Sequence, residues 1–169
     1  MQFLRLRVMR ETDLDAVLRL NNDAAPTIRP LEAATLAELR AMCDVALVAT
    51  SRAGDITAFL LSLGGGQPYT SPNYRWFEER HTRHQYIDRI VVSSAARGTG
   101  IGRALYESVF ERARERGANE VTTEVALEPL DQRSMSFHEA LGFRRLGEHT
   151  LTDGPARVAL LARTVDGLV

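Results

Sequence analysis

The sequence predicts an α/β fold of the α+β kind: one mixed sheet of seven strands with helices on both faces. Three observations predict it. The apolar patterning runs β α α β β β α β α β β along the chain. Hairpins alternate with a single strong β-α-β unit, so parallel and antiparallel pairing must mix. With 169 residues, 44% hydrophobic and 25% charged, the chain suits one domain, expected over 1–169, with enough apolar material for a core.

Residues 3–9 alternate as a strand. Thr12 is the expected N-cap of the first helix, with Asp13 and Asp15 in its first turn and Leu14, Val17 and Leu18 as its apolar stripe up to about Asn22. Pro26 and Pro30 break the chain before a second helix over 32–42, which carries Leu36, Leu39 and Met42 on one face. Strands follow at 45–50 and 55–63, joined by Ser-Arg-Ala-Gly-Asp. Gly64-Gly-Gly, Pro68 and Pro72 predict a loop over 64–83, with the aromatic group Tyr74-Arg-Trp-Phe inside it. Residues 85–92 form the best strand of the chain and Ser93–Gly100 a loop. A helix over 101–116 turns Ile101, Leu105, Val109 and Ala113 inward and ends at Gly117. Then come a strand at 120–127, a helix at 132–141 closed by Gly142, and a hairpin of 143–151 and 156–163 around Thr-Asp-Gly-Pro.

Composition excludes several chemistries. The net charge of −1 gives no electrostatic footprint for nucleic acid or an acidic membrane. No apolar run reaches the roughly 20 residues that a bilayer requires, and the first residues, which alternate as a strand, lack the h-region of a secretory signal. Cys43 is the only cysteine, so no internal disulfide or CxxC site exists; it reads as a small buried hydrophobe. A cytoplasmic protein is expected. All 21 basic residues are arginine, which excludes Schiff-base lysine chemistry and a P-loop.

The segment Ile90-Val-Val-Ser-Ser-Ala-Ala-Arg97-Gly98-Thr99-Gly100-Ile101-Gly102-Arg103 runs from strand through glycine loop into helix. The first N–H groups of a helix lack internal partners and sit at the positive end of its dipole. Glycines let backbone approach a ligand, so the segment reads as a seat for a phosphate or pyrophosphate. The dinucleotide pattern G-x-G-x-x-G fails, because its third glycine would fall on Arg103.

Arg97-Gly-Thr-Gly100-Ile-Gly102 fits R/Q-x-x-G-x-G/A and resembles the coenzyme A signature of the GNAT superfamily of N-acetyltransferases. Ser134-Met-Ser-Phe-His138-Glu-Ala-Leu-Gly142-Phe143 resembles that family's later helix and the strand after it. The resemblance implies a mostly antiparallel sheet with a V-shaped splay between its central strands and acetyl-CoA as cosubstrate, without a metal. Ile90, Val91 and Val92 would pair their backbone with the pantetheine arm. Arg97, Gly98, Thr99, Gly100, Ile101, Gly102 and Arg103 would hold the pyrophosphate. Asp131, Ser134, Phe137 and His138 would face the cofactor, and acetyl would pass to an amine by direct attack on the thioester.

Here the sequence departs from the family pattern. His138 stands where a tyrosine is common. It either protonates or bonds the departing sulfur, or packs as a polar residue under the cofactor. Asp131 stands where asparagine is common. Asp88, mid-strand, is costly unless paired or functional: it is a general base, or a salt-bridge partner of Arg83 or Arg133. Strict alternation would turn Arg89 to the opposite face and put Tyr86, Asp88 and Ile90 on one side. Glu124 is the alternative base. His81-x-x-His84 has ligand spacing but no third ligand.

The acceptor would be walled by 21–30 and 69–83, with Asn22, Tyr74, Trp76 and Phe77 as contacts; the aromatics read equally as a hydrophobic lid. Arg75, Arg80 and Arg83 hint at an acceptor with a carboxylate. A small-molecule amine or amino acid is the expected acceptor. A protein or peptide amine and a non-catalytic acyl-CoA sensor remain open, as does a homodimer.

Overall fold

Seven strands form one sheet in the order β1-β2-β3-β4-β5-β7-β6, in a computed structural model that describes residues 5–152 and 155–165. The strands are β1 (Arg5–Val8), β2 (Val45–Thr50), β3 (Ile56–Gly64), β4 (His84–Val92), β5 (Glu120–Glu128), β6 (Arg144–Thr150) and β7 (Arg157–Thr164). All neighbours pair antiparallel except β4 with β5, which pair parallel. The expected beginning of the first strand, residues 3–4, and the centre of the last turn, residues 153–154, lie outside the described residues.

Two apolar layers sandwich the sheet. On one face α4 (Ile101–Glu115) and α5 (Gln132–Ala140) cover Leu60, Ile87, Val121 and Leu161. On the other, α1 (Leu14–Asn22), α2 (Ala33–Met42) and α3 (Pro72–Arg80) cover Phe59, Leu61, Leu63, Tyr86 and Leu160. Phe59, Leu60 and Leu61 are fully buried because both faces of β3 are roofed. Such a strand carries a continuous apolar run rather than alternation, and each side chain contributes about 2 kcal/mol by leaving water.

Ile101, Leu105, Val109 and Ala113 of α4 all face the core, and Tyr106 and Phe110 join them. The start of α1 differs from expectation. Asp13, not the exposed Thr12, accepts the Arg10 N–H at 2.7 Å and the Arg7 guanidinium at 2.6 and 2.8 Å. The larger correction is α3, a helix inside the segment expected to be all loop. Ser71 caps it, its hydroxyl accepting from the Tyr74 N–H, and Pro72 opens its first turn. Serine followed by proline is a helix-start signature that the neighbouring glycines and prolines obscured.

Candidate active site

A β-bulge in β4 sets the geometry. Leu61 pairs with Arg89 and Ser62 with Ile87, so Asp88 is an extra residue without a partner on β3. Bulges bend a strand and break its alternation. Beyond this point Ile90 and Val92 pack on the α4 side and Val91 on the α1–α2 side. Ile90 therefore does not share the face of Tyr86 and Asp88. The β4–β5 ladder runs only through His84–Glu120, Gln85–Val121 and Tyr86–Thr122. Thr123 closes it by donating its hydroxyl to the Ile87 carbonyl at 3.0 Å, and the strands then part.

The gap continues into a cavity of about 360 Å³ lined from β4 by Asp88, Arg89 and Ile90 and from β5 by Thr123–Ala126. Asp131, Ser134 and His138 line it from α5 and its cap, residues 27–29, Leu31 and residues 69–71 from two loops, Pro72 and Asn73 from the start of α3, and Leu151, Thr152 and Pro155 from the last hairpin.

The glycine loop leaves the end of β4. A short turn of 3-10 helix, Ser94–Ala96, leads through Arg97 to Gly98 at φ +73 and Gly100 at φ +86, the residue that caps α4. Only glycine adopts such φ without strain. A side chain at either would meet nothing within 4 Å, so the backbone stands open. Gly102 is different: a Cβ there would stand 3.3 Å from the Phe137 ring, so this glycine lets α5 approach α4. Arg97 donates through Nε to the Val92 carbonyl at 3.2 Å, and Thr99 donates its hydroxyl to the Ala96 carbonyl at 2.6 Å. These bonds fold the loop and leave its amides and the α4 N-terminus outward. That arrangement fits a pyrophosphate by the chemistry of its donors.

Two carboxylates face the cavity and differ in their partners. Asp88 Oδ1 accepts from the Tyr69 hydroxyl at 2.6 Å and Oδ2 from Arg89 Nε at 2.7 Å. The bulge turns neighbours 88 and 89 to one side, so Arg89, rather than Arg83 or Arg133, is the partner. Arg89 also donates to Asn21 Oδ1 at 2.9 Å and to the Arg29 carbonyl at 3.2 Å, tying the bulge to α1 and to the α1–α2 loop. Glu124 accepts from the Tyr86 hydroxyl, at 2.9 and 2.8 Å from its two oxygens, and Asn73 of α3 is a second side-chain hydrogen-bond partner. Burial first, and then the Asp88 charge, push the Glu124 carboxyl up to about 8.

His138 is buried, with a side-chain nitrogen 2.7 Å from the Ser134 carbonyl and the other bonded to the Tyr106 hydroxyl. Burial lowers its basicity, so the ring is neutral. Asp131 caps α5, its Oδ1 accepting from the Ser134 N–H at 3.0 Å. Phe137 packs in the apolar layer beneath Gly102, outside the cavity lining.

The expected acceptor contacts lie elsewhere. Tyr74 and Phe77 are core residues of α3, and the Tyr74 hydroxyl donates to the Gly64 carbonyl at 2.9 Å. Trp76 packs edge-on against Phe77 and carries Arg80 4.5 Å from its ring centre. Helical periodicity turns these aromatics onto the sheet, away from the cavity. Asn22 braces its own loop, exchanging bonds with Leu31 at 2.9 and 3.0 Å. Arg75, Arg80 and Arg83 do not line the cavity; Arg29 and Arg89 do. His81 bonds Glu120, and His84 bonds Glu78 and Thr122. Among the described residues no group of three or more His, Cys, Asp or Glu is arranged to hold a metal ion. Tyr69, Tyr86, Arg89 and Tyr106 are not among the site residues the sequence predicts, although Tyr86 and Arg89 stand beside Asp88 on its strand. A cluster of tyrosines around mid-strand acids was the signal available for the first two.

The profile described as the Acetyltransferase (GNAT) family matches residues 15–143. The chain belongs to that family. With it, the chain is an N-acetyltransferase. A glucosamine 6-phosphate N-acetyltransferase of Trypanosoma brucei brucei is 29% identical over 147 residues, 83% of this chain and 89% of that protein. Among solved structures, Ard1 from Thermoplasma volcanium superposes with a TM-score of 0.77 at 17% identity, covering 96% of this chain and 97% of its own. The ribosomal-protein-S18-alanine N-acetyltransferase of Escherichia coli gives 0.72 at 19% identity, covering 99% and 96%. In this GNAT fold β4 parts from β5 toward its C-terminal end, the end from which the glycine loop leaves. No helix among the described residues is long and apolar enough to cross a membrane.

Proposed function

We propose that this GNAT enzyme moves an acetyl group from acetyl-CoA to the primary amine of a small molecule that also carries an anionic group, acting as a single domain in the cytoplasm. The observation that carries the reading is Glu124. It is a carboxyl held near neutrality in the gap between β4 and β5, where an amine must lose a proton before it can attack.

The residues present fit the cosubstrate. Backbone amides of 97–103 would hold its pyrophosphate, and the β4 backbone near Ile90–Val92, which has no ladder partner on β5, would take the extended arm like an added strand. When bound, acetyl-CoA supplies an acyl carbon activated as a thioester. This chain's residues do the rest. Glu124 takes the amine proton, and the Tyr86 hydroxyl orients its carboxylate. Asp88, already bonded to Tyr69 and Arg89, holds the cavity floor in shape instead of acting as base. Arg29 lines the same cavity and suits a phosphate or carboxylate on the acceptor, consistent with the phosphate named for the trypanosome relative.

The test is thiol release by purified protein with acetyl-CoA and a panel of amino sugars, amino-sugar phosphates, amino acids and short peptides. Turnover strongest on anionic small amines is expected. Turnover on peptides alone would replace the acceptor class, and tight acetyl-CoA binding without turnover on any amine would leave a sensor instead of an enzyme.

A further inference from the structure

We propose that Tyr106 is a positioning residue for acyl transfer, which together with the Ser134 carbonyl holds His138 as a single neutral tautomer with no proton to offer the cavity. The inference rests on the acyl-transfer reading above for its consequence, but its geometry stands alone.

The His138 ring is 2% exposed and reaches neighbours through both nitrogens. Nδ1 lies 2.7 Å from the backbone oxygen of Ser134. A carbonyl only accepts, so Nδ1 must carry the hydrogen. In a neutral ring Nε2 is then bare and must accept, and the group against it is the Tyr106 hydroxyl of α4. Tyr106 is itself fully buried. Its ring stands edge-on to His138 with centroids 5.3 Å apart, and Phe143 stands at the same distance on the histidine. Thr123 is a second side-chain hydrogen-bond partner of the phenol, and it also donates its hydroxyl to the Ile87 carbonyl. The charged groups that act on the pair are Asp131 at the α5 cap and Glu124 on β5. Neither is among the hydrogen-bond partners of the ring nitrogens.

The consequence concerns the leaving group. As the amine nitrogen bonds the acyl carbon and the carbon–sulfur bond breaks, the departing thiolate needs one proton. A bound ammonium loses two protons on its way to the amide: the first passes through Glu124 to solvent before attack, and the second, taken by Glu124 from the nitrogen once it has bonded the acyl carbon, goes to the thiolate, since both His138 nitrogens are occupied. The carboxylate is regenerated and no other reactant is needed. His138 thus contributes a fixed wall from α5, and Tyr106 keeps it fixed.

The experiment is long-range proton–nitrogen correlation spectroscopy of the histidine rings, with His138 assigned through His138→Gln. In the wild-type protein without substrate, His138 is expected as the Nδ1–H tautomer, unchanged from pH 6 to 9. An Nε2–H tautomer, or a ring that titrates in that window, overturns the proposal, and this reading does not need a variant that folds. In Tyr106→Phe the bond favouring the neutral ring is gone, so the titration of His138 should move up by about one pH unit. There kcat should fall roughly tenfold while KM for both substrates stays within about twofold. Unchanged kcat in a folded Tyr106→Phe protein would also overturn it. An inactive amine panel would sink the proposed function while the spectrum still reports the tautomer, so the two failures are distinguishable.

Discussion

Replacing Glu124 with glutamine should make the protein more stable at alkaline pH and nearly inactive. Folding raises this carboxyl from an ordinary 4.5 to about 8. Between those values the folded state keeps the proton and the unfolded chain has lost it. The unfolded state then binds fewer protons, so stability falls as pH rises. The full loss is reached above pH 8. At 1.36 kcal/mol per pH unit the gap corresponds to at most about 5 kcal/mol. Glutamine keeps an acceptor for the Tyr86 hydroxyl but cannot ionise. Urea unfolding of both proteins from pH 4 to pH 9 is the assay. The wild type should lose stability relative to Glu124→Gln across that range, with the two similar near pH 4. Thiol release should drop by about 10²- to 10⁴-fold, and the rise of wild-type kcat/KM with pH, centred near 8, should vanish. Parallel pH–stability curves for the two proteins would show that Glu124 ionises as it does in water, and the argument for it as base would fail.

Gly100→Glu should abolish coenzyme A binding in calorimetry, because it puts an anion on the phosphate seat at a φ of +86; unchanged affinity would refute the seat. Arg89→Lys keeps the charge but loses the fork that joins Asp88, Asn21 and the Arg29 carbonyl. Steady-state kinetics should show a higher KM for the acceptor with coenzyme A affinity unchanged. Asp13→Asn should destabilise the protein by about 1–3 kcal/mol through loss of the charged bonds to Arg7. Because this pairing lowers the Asp13 carboxyl, its contribution in the wild type should disappear as pH falls below the usual carboxylate range, which acid unfolding would show. Cys43, whose thiol donates to the Leu39 carbonyl and is pushed up by burial, should resist alkylation at pH 8 in the folded protein; rapid labelling would place it at the surface.

What was legible in the sequence is what local rules decide. The amphipathic period of 101–115 and the glycines before it fix α4 and the loop that caps it, because both depend on residues within a few positions of one another. The seven strands were legible for the same reason. The acid pair was only half legible. Asp88 and Glu124 stood out as mid-strand charges, but which of them is neutralised depends on β3, whose register with β4 makes Asp88 an extra residue. No pattern within 84–92 announces that bulge. His138 illustrates the same limit at longer range. One of its two ring nitrogens is bonded by a phenol 32 residues away on another helix. The aromatic group at 74–77 misled for a different reason. The glycines and prolines around it predict a loop, whereas Ser71 and Pro72 start a helix, and a helix sends Tyr74 and Phe77 to one face.

The bulge also explains why a stable sheet contains an opening at its centre. Strands beyond Tyr86 and Thr122 forgo ladder pairing, and each missing backbone bond costs about 1 kcal/mol. An interior strand edge is otherwise avoided because its N–H and C=O groups must find partners. Here β3 and β7 still pair along the outer sides of β4 and β5, so each strand stays anchored while its inner edge is free. The extra residue at 88 bends β4 away from β5, brings Arg89 beside Asp88 and hands Arg89's remaining donors to the α1–α2 loop. One insertion into the ladder therefore opens the gap, shapes its floor and positions the loop that lines it. An extended amide-bearing arm laid along β4 would restore the missing bonds. The unpaired edge is thus the feature of this sheet that a ligand completes.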